Sequence, residues 1–333
     1  MDQRDVARIA RVSSATVSRV LNGSTLVKPA TAERVRRVIE QLRFIPNGSA
    51  AALRYGKSSS YGLIIPDITN PFFSEFIRSF QEILADRNRD VLMASLDHHA
   101  SGMQESIRRM MVRQVNGIAL LAAEIESGPI EALVHNRVPL VTMDRRLTGP
   151  GLSDIAIHNA SGMNEALEHL HALGHRRIGY IGGASGLTIS DHRQNAFIKA
   201  VKRVGLTVDP AFLREGNYRI SGGEAAIQQI LAMKTRPTAL LTANDLTAIG
   251  VLRVLHKSGC PVPQAFSVVG FDDIELSDVI YPPLTTLRLA RQELAQTFVT
   301  ALEALATDPH AAGNQYTVRT RLVVRESTGP APR

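Results

Sequence analysis

Short apolar runs alternate with amphipathic helical segments from Tyr61 onward, and this alternation constrains the fold of the 333-residue chain most. It predicts buried strands joined by crossover helices, and therefore parallel, doubly wound α/β sheets. The predicted strands are Gly62–Ile65, Asp90–Ser95, Gly117–Leu121, Leu140–Asp144, Ile178–Ile181, Ala239–Thr242 and Val268–Phe271. The predicted helices include Phe73–Asp86, Met163–Leu173, Arg193–Val204, Gly222–Met233 and Asp245–Lys257. Strands in this number divide most naturally into two lobes.

Composition excludes several classes of protein. The single cysteine, Cys260, allows no intramolecular disulfide. No apolar run approaches the roughly 18 residues of a membrane span, and Met1–Asp5 is too polar for a signal peptide. We therefore expect a cytoplasmic protein.

The net charge of +7 lies entirely in the first sixty residues. The rest of the chain holds equal numbers of basic and acidic side chains. A basic segment on a neutral body is typical of nucleic-acid binding, and a solvated basic helix face is the alternative.

The basic segment has the pattern of a helix-turn-helix. Asp2 is a candidate N-cap for a helix with an apolar stripe, and Ser13 is one for a second helix from Ser14 to Leu21 or Asn22. Lys28-Pro29 leads into a third helix. In this motif the second helix enters the major groove. The candidate DNA-contacting residues on it are Ser14, Ala15, Thr16, Ser18 and Arg19. The alternative interpretation of the motif is a pair of structural helices that does not bind DNA.

A short alanine-rich stretch, Gly48–Arg54, follows Phe44-Ile45-Pro46-Asn47. It has no face large enough to bury, so it is marginal as an isolated helix. Folding only on DNA and a plain flexible linker are both compatible with it.

Val12–Asn22, together with Pro46-Asn47-x-x-Ala50-x-x-Leu53, resembles the LacI/GalR family of bacterial repressors. The resemblance implies that Ser14, Ala15 and Arg19 read bases. It also implies that Asn47, Ala50 and Leu53 belong to a hinge helix whose leucine wedges into the minor groove. Two positions depart from the family: Arg11 replaces a turn glycine, which predicts a positive φ, and Gly48-Ser49 loosens the hinge.

Motifs along the rest of the chain extend the resemblance to a two-lobed, periplasmic-binding-protein-like core. They are Asp67–Phe73, Leu173–Ile178, Ala243–Asp245, Val268–Asp273 and Pro282–Thr286. We expect a DNA-binding domain at 1–45, a hinge at 46–59 and a core at 60–333. Within the core, the N-lobe is expected at about 60–158 and 288–320, and the C-lobe at about 159–287 and 321–327.

Ligands of open α/β sheets bind beyond the carboxyl ends of the strands. Polar or aromatic residues that follow predicted strands are Asp67, Asn70, Phe72, Phe73, Asp144, Asn244 and Asp272, and Arg193 opens a predicted helix. The resemblance implies effector contacts for Asp144, Arg193, Asn244 and Asp272, and aromatic walls at Phe72 or Phe73 and at Tyr218.

These residue types suit a polyhydroxylated ligand, because carboxylates and amides bond hydroxyls and an aromatic face covers C–H groups. Each has a structural alternative. Asp272 could cap a helix, Arg193 could pair with Asp191, and Phe73 could belong to the core.

Other patterns do not support an enzyme. The glycine-rich Gly179–Gly186 fits no nucleotide fingerprint and is interpreted as a turn. His169, His171 and His175 suggest a metal, but Gly174 should end the helix before His175. The Ser/Gly/Pro-rich segment Ser327–Arg333 is expected to be a small polar tail.

The sequence and the resemblance therefore predict a homodimeric repressor of a palindromic operator. A sugar, polyol or sugar acid is expected to control it, without any cofactor. Dimerisation is expected through the N-lobe, including the helix Phe73–Asp86. A transport-type binding protein and a sugar-modifying enzyme are the rival classes.

Overall fold

The computed structural model describes residues 2–21, 24–44, 59–96, 101–121, 133, 135–308 and 312–332. Contacts divide the chain into two compact units, Met1–Ser58 and Ser59–Arg333. The predicted helix end at Asn22-Gly23 and the hinge residues Asn47, Gly48, Ala50 and Leu53 lie outside the described residues.

The described part of the first unit contains three helices: α1 (Gln3–Ile9), α2 (Ser14–Leu21) and α3 (Pro29–Leu42). Asp2 caps α1 by accepting from the backbone N–H groups of Arg4 and Asp5, as predicted. Ser13 Oγ accepts from the backbone N–H of Thr16 at 3.2 Å, which confirms its role as the cap of α2. The three helices pack on a small core that includes Val6, Val17, Val20, Val35 and Val38.

The turn between α1 and α2 contains Arg11 at φ 50°. This left-handed conformation confirms the positive φ predicted for a residue that replaces glycine.

The second unit is a strand-helix alternation, as predicted. Its strands are β1 (Ser60–Ile65), β2 (Asp90–Ser95), β3 (Ile118–Leu120), β4 (Leu140–Met143), β5 (Leu152–His158), β6 (Ile178–Ile181), β7 (Leu213–Arg214), β8 (Ala239–Thr242), β9 (Ser267–Asp272), β10 (Thr285–Leu289) and β11 (Gln315–Val323). The helices whose bounds lie within its described residues are α4 (Pro71–Ala85), α5 (Ser101–Val112), α6 (Asn159–Ala172), α7 (Thr188–Arg203), α8 (Ile220–Leu231), α9 (Asp245–Lys257), α10 (Leu276–Val279) and α11 (Arg291–Thr307).

The strands follow one another in the order β2-β1-β3-β4-β5-β11-β10-β9-β8-β6-β7. Every neighbouring pair is parallel except β10 and β11. Apolar cores cover both faces of each half, which is the doubly wound arrangement. We call the half with β1–β5 the N-lobe and the half with β6–β10 the C-lobe.

The strand β11 belongs to both lobes. Residues 315–319 pair with residues 154–158 of β5, and residues 320–323 pair with residues 286–289 of β10. The chain therefore passes between the lobes at 158–159, at 289–291 and within β11 at 319–320.

The strands β5, β10 and β11 were missing from the sequence prediction because they are not continuous apolar runs. Asp154 lies at the centre of β5, where its carboxylate accepts from Thr142 Oγ1 at 2.6 Å and from the backbone N–H groups of Arg145 and Arg146. Burial raises the pKa of Asp154. Hydrogen bonds thus allow a polar residue to occupy a buried strand.

The segment beyond Ser327 is packed against the C-lobe and is not a free tail, contrary to expectation. Ser327 Oγ donates to the carbonyl oxygen of Val268 at 2.6 Å and accepts from the N–H of Thr285 at 2.8 Å. The N–H of Ala331 donates to the carbonyl oxygen of Leu173 at 2.8 Å. The segment fills hydrogen-bonding positions that the lobe would otherwise leave open.

His175 holds this segment in place. Gly174 at φ 91° ends α6 as predicted, and it directs the chain so that His175 is fully buried. Its Nδ1 lies 2.8 Å from Thr238 Oγ1, and its Nε2 lies 3.0 Å from the carbonyl oxygen of Gly329. Because a carbonyl only accepts, Nε2 carries the proton and Nδ1 accepts from the threonine hydroxyl.

Burial lowers the pKa of His175, so the folded protein binds a proton there less readily than the unfolded chain. The stability provided by the neutral ring is complete above the unfolded pKa of about 6.5 and declines as the pH falls below it. We predict that His175→Gln, which keeps one donor and one acceptor but cannot titrate, makes the unfolding free energy less dependent on pH between 7.5 and 5.5.

Denaturant unfolding at several pH values measures the slope of the unfolding free energy against pH. The control is His256→Gln, which removes an exposed histidine from α9 and should leave the slope of the parent protein unchanged. Equal slopes for His175→Gln and the parent would contradict the prediction.

Candidate functional site

The second helix of the first unit presents a polar surface. Ser14, Ala15 and Arg19 are exposed, whereas Val17 and Val20 are buried under α1 and α3. The base-reading positions implied by the resemblance therefore share the outer side of the helix.

Thr16 and Ser18 are only partly exposed. Thr16 Oγ1 lies 3.0 Å from Ser13 Oγ, so this hydroxyl belongs to the cap of α2. Gln3 Nε2 donates to the carbonyl oxygen of Ser14 at 2.9 Å and fixes the start of α2 against α1.

The first unit is rich in basic side chains. Those that are exposed in the described part of the first unit are Arg4, Arg8, Arg11, Arg19, Lys28, Arg34, Arg36, Arg37 and Arg43. Such a concentration of positive charge attracts a polyanion in a salt-dependent manner.

A cavity of about 370 Å³ lies between the two lobes of the second unit, beyond the carboxyl ends of the strands. Six of the seven predicted effector residues line it, and they are Phe72, Phe73, Arg193, Tyr218, Asn244 and Asp272. Asp67 and Asn70 also line it.

Arg193 lies in the second turn of α7, which begins at Thr188, so it does not open the helix as predicted. It is only 5% exposed, and its guanidinium lies 3.8 Å from the centroid of the Phe271 ring. Its Nη2 lies 3.6 Å from Asp272 Oδ1, and its Nη1 donates to the carbonyl oxygen of Ala243. The partner is therefore Asp272 and not Asp191. Within the part of the chain that the structure describes, Arg193 Nε is buried without a hydrogen-bond partner.

Asp272 is the last residue of β9, with φ 111°, and Asp273 follows it with φ 57°. Arg291 donates to the carbonyl oxygens of both residues at 2.6 Å, and its Nε lies 3.0 Å from Glu75 Oε2 on α4. An arginine bound to the N-lobe thus holds the unusual backbone of this turn.

Burial raises the pKa of Asp272 to about 7, and the neighbouring charge of Arg193 opposes this rise. Near neutral pH the carboxyl group is available in both forms. It can therefore accept from a ligand hydroxyl when ionised or donate to one when protonated.

The side chain of Asn244 forms hydrogen bonds with two other parts of the site. Its Oδ1 caps α9 by accepting from the N–H of Thr247 at 3.0 Å, and its Nδ2 donates to the carbonyl oxygen of Tyr218 at 2.9 Å. The Tyr218 hydroxyl lies 2.9 Å from Ser190 Oγ on α7. Asn244 thus holds Tyr218 by its backbone, and Ser190 holds it by its hydroxyl group.

The N-lobe contributes a polar mouth. Asp67 Oδ1 accepts from the N–H and the hydroxyl of Thr69, and Oδ2 lies 3.1 Å from Arg219 Nη2 across the cleft. Asn70 Oδ1 accepts from the N–H of Phe72 at 3.1 Å and caps α4. The ring of Phe72 meets that of Phe73 edge-on at 5.3 Å.

Asp144 is placed differently from the other predicted effector residues, because it is not part of the cavity lining. Its Oδ2 lies 3.0 Å from His192 Nδ1 of the C-lobe, and its Oδ1 accepts from the N–H of Ile157 at 3.3 Å. In this arrangement Asp144 joins the lobes.

Sequence reasoning missed the apolar part of the lining. It comprises Leu96, Met103, Leu121, Met143, Leu187, Ile189, Leu246 and Leu289. Leu96, Leu121, Met143 and Leu289 end strands or directly follow them, which was the available signal, but only polar and aromatic residues were considered at such positions.

Comparison with known sequences gives two family matches. Residues 4–47 match the LacI family of bacterial regulatory proteins, and residues 167–328 match the periplasmic-binding-protein-like domain. The HTH-type transcriptional repressor CytR of Escherichia coli (strain K12) is 30% identical over 332 residues, 99% of this chain and 96% of the relative. The ribose operon repressor of the same strain is 32% identical over 308 residues, 92% of this chain and 93% of the relative.

Solved structures show the same architecture. The lac repressor dimer bound to operator and the anti-inducer ONPF has a TM-score of 0.86 and 28% identity, with 98% of both chains covered. The complex of the transcriptional regulator CelR with cellobiose has a TM-score of 0.74 and 27% identity, and 98% of this chain and 99% of that one are covered. Among the described residues, no helix is both long and apolar enough to span a membrane.

Gly183 permits the close approach of Tyr218 to the strand-to-helix turn after β6. A Cβ atom at this position would overlap the Tyr218 ring and Ser190 Oγ. We predict that Gly183→Ala displaces the ring and lowers the unfolding free energy by about 1–3 kcal/mol.

The control for thermal or denaturant unfolding is Gly182→Ala, whose Cβ would meet its nearest neighbour at an ordinary 3.5 Å. It should change the unfolding free energy by no more than about 0.5 kcal/mol. Equal stability of the two variants would be evidence against the packing described for Tyr218.

Proposed function

Since this chain belongs to the LacI family of bacterial regulatory proteins, we propose that it is a transcriptional repressor that binds a palindromic operator as a homodimer. A small metabolite in the cleft between the lobes controls its affinity for DNA. The exposed side of α2 within a basic unit carries this proposal, because it presents an arginine and small polar residues in a form that fits the major groove.

The proposed domains are the DNA-binding domain 1–45, the hinge 46–59 and the core 60–333. Ser14, Ala15 and Arg19 contact base edges, and Arg19 bonds guanine with two parallel hydrogen bonds. Thr16 and Ser18 lie at the phosphates. Asn47, Ala50 and Leu53 form the hinge contacts at the operator centre.

In the core, Arg193 and Asp272 bind hydroxyl groups of the effector, and Phe72, Phe73 and Tyr218 enclose its ring. Among the described residues Arg193 Nε has no hydrogen-bond partner, so the arginine has donor capacity that the protein leaves unused, which supports this assignment. Asn244 positions Tyr218, and Asp144 acts through the contact between the lobes.

Effector binding and DNA binding are coupled through the lobes. The contacts Arg219–Asp67 and His192–Asp144 cross the cleft, and a ligand that shifts one lobe against the other exchanges them for new ones. By linkage, operator DNA changes the affinity for the effector by the same factor.

An apolar patch on the C-lobe supports dimerisation. Val279 and Tyr281 are 75% and 92% exposed, and Leu276 is exposed beside them. Glu275, which precedes the patch, lies 2.9 Å from Arg78 on α4 through its Oε1. The proposed dimer face therefore extends from the C-lobe onto the N-lobe helix that the sequence indicated, and two-fold symmetry brings like patches together.

Selection of bound duplexes from a random pool by the full chain tests DNA recognition, and we expect an enriched palindrome. On that palindrome, Arg19→Ala should lower affinity by at least tenfold and relax the preference at one base pair of each half-site. The same arginine-to-alanine change at Arg203, exposed on α7 and paired with Glu168 at 3.4 Å, is the control and should have no effect.

No enrichment without ligand, and none after addition of a metabolite extract, would refute DNA recognition. An Arg19→Ala protein that keeps the base preferences of the parent protein would refute the proposal that this side of α2 faces the bases.

Sedimentation of Tyr281→Asp tests the dimer face. Because the side chain is 92% exposed, the fold should persist while a buried aspartate separates the protomers into 36.2 kDa monomers. The control is Leu147→Asp, which changes an exposed apolar residue of the second unit that is not part of this patch. This variant should remain dimeric. A dimeric Tyr281→Asp protein would exclude this face.

A further inference from the structure

The side of the C-lobe that faces away from the cleft is strongly basic. The strands of this lobe run toward the cleft, so the amino ends of β6 and β8 lie on the opposite side. The helices α6, α7, α8 and α9 end on that side too, because each leads into the amino end of the next strand. Six exposed basic residues lie in these helix ends and turns, and we call them the distal end: Arg176, Arg177, Lys202, Lys234, Arg236 and Lys257.

Hydrogen bonds join the two turns that lead into β6 and β8. The N–H of Thr238 donates to the carbonyl oxygen of Arg177 at 2.8 Å. The Nε of Arg177 donates to the carbonyl oxygen of Arg236 at 2.9 Å, so the backbone of one turn orients the guanidinium of the other. Two arginines are thereby held in neighbouring turns at the surface.

Carboxylates do not neutralise the distal end. None of its six residues forms an ion pair with a carboxylate in the described part of the chain. Glu168 on α6 and Glu224 on α8 are paired instead with Arg203 at 3.4 Å and with Arg253 at 2.8 Å. Two further exposed carboxylates, Asp209 before β7 and Glu326 after β11, leave an excess of four positive charges on this side.

Helix ends explain only part of this charge. Lys202 and Lys257 lie in the last turns of α7 and α9, where cations are favoured by the helix dipole. Arg176 Nη1 donates to the carbonyl oxygen of His171 near the end of α6. Arg177, Lys234 and Arg236 lie outside the helices, so the helix dipoles do not account for them.

The surroundings of the distal end favour a nucleic acid over a protein as its partner. Protein interfaces depend on aromatic or aliphatic anchors at their centre. No large apolar side chain is exposed among the described residues of α6–α9 or of the turns that lead into β6 and β8. Lysine and arginine bind the phosphates of duplex DNA by charge alone, which requires no such anchor.

We propose that the distal end binds the phosphate backbone of a second DNA duplex without base specificity. The chain enters the core at Ser59, directly before β1 and so at the amino end of the N-lobe, on the other side of the cleft from the distal end. A protein bound to its operator thus holds another segment of DNA at its C-lobe. This inference goes beyond the proposed function, which uses the first unit alone to bind DNA.

A two-duplex binding assay on the full chain tests it. The protein is immobilised through an amino-terminal biotin tag and saturated with the unlabelled palindrome obtained by selection. A labelled mixed-sequence duplex of about 30 base pairs is then added, and its binding is measured per immobilised protomer. We expect binding that weakens about 100-fold between about 50 and 200 mM salt, as when about four phosphates are neutralised.

The uptake of unlabelled palindrome reports the first unit separately, so failure of operator binding and failure of the distal end are distinguishable. A protein saturated with palindrome that binds no labelled duplex at the lowest salt concentration would overturn the proposal. Labelled poly-glutamate that binds more tightly than the duplex would also overturn it, in favour of an acidic protein segment.

Charge-reversal variants locate the second duplex. Arg177→Glu combined with Arg236→Glu should lower the affinity for the labelled duplex at least tenfold and leave the uptake of palindrome unchanged. The matched control is Arg108→Glu combined with Arg109→Glu, which reverses two arginines on α5 that are 67% and 61% exposed. It makes the same change in charge on the N-lobe and should leave the affinity within twofold.

Lys234→Glu combined with Lys257→Glu provides a second variant, on the side of the sheet covered by α8 and α9. It should also lower the affinity for the labelled duplex at least tenfold. Thermal melting verifies that each variant is folded, as expected for substitutions of exposed side chains. Unchanged affinity in a folded distal-end variant, or an equal loss in the α5 control, would overturn the proposal.

Discussion

Backbone hydrogen bonding by β11 is the constraint on which the core depends. Because one continuous strand pairs first with β5 and then with β10, the two sheets meet edge to edge. Their strands then end at a common cleft, and Asp67, Asn244 and Asp272 are brought together from distant parts of the sequence. The chemistry of the cleft is therefore a consequence of strand order, since none of these residues is near another along the chain.

Charge pairs across the cleft set how firmly this arrangement is held. Arg219 is about half exposed, so its pair with Asp67 contributes no more than about 1 kcal/mol. Arg291 and Glu75 are much less exposed, and the arginine also fixes the backbone of Asp272. The mouth of the cleft is thus held weakly, while the turn that carries the buried carboxyl group is fixed. A ligand can rearrange the mouth without having to rebuild the site.

Local periodicity predicted the helix-turn-helix and the parallel sheets, and the strand-end rule predicted Asp67, Asn70, Phe72, Phe73, Asn244 and Asp272 of the cleft lining. Both are properties of short segments. Tyr218 was indicated by the family resemblance alone. The partner of Arg193 could not be predicted, because Asp272 approaches it only after β6, β8 and β9 have assembled into a sheet. Asp144 followed the strand-end rule and yet contacts His192 of the other lobe, which a rule based on one strand cannot predict. The apolar half of the lining could not be predicted from sequence, because Leu121 and Met143 have the same pattern as ordinary core residues.

The docking of Ser327 and Gly329 onto the C-lobe has a consequence for biosynthesis. A chain emerges from the ribosome from its amino end, and domains fold as units in that order. The three described helices of the first unit end at Leu42, so they emerge early. Neither lobe is complete until β11 has emerged, and His175 has its full set of partners only when Gly329 follows. For most of translation the nascent chain therefore carries the three amino-terminal helices followed by lobes that cannot yet be completed.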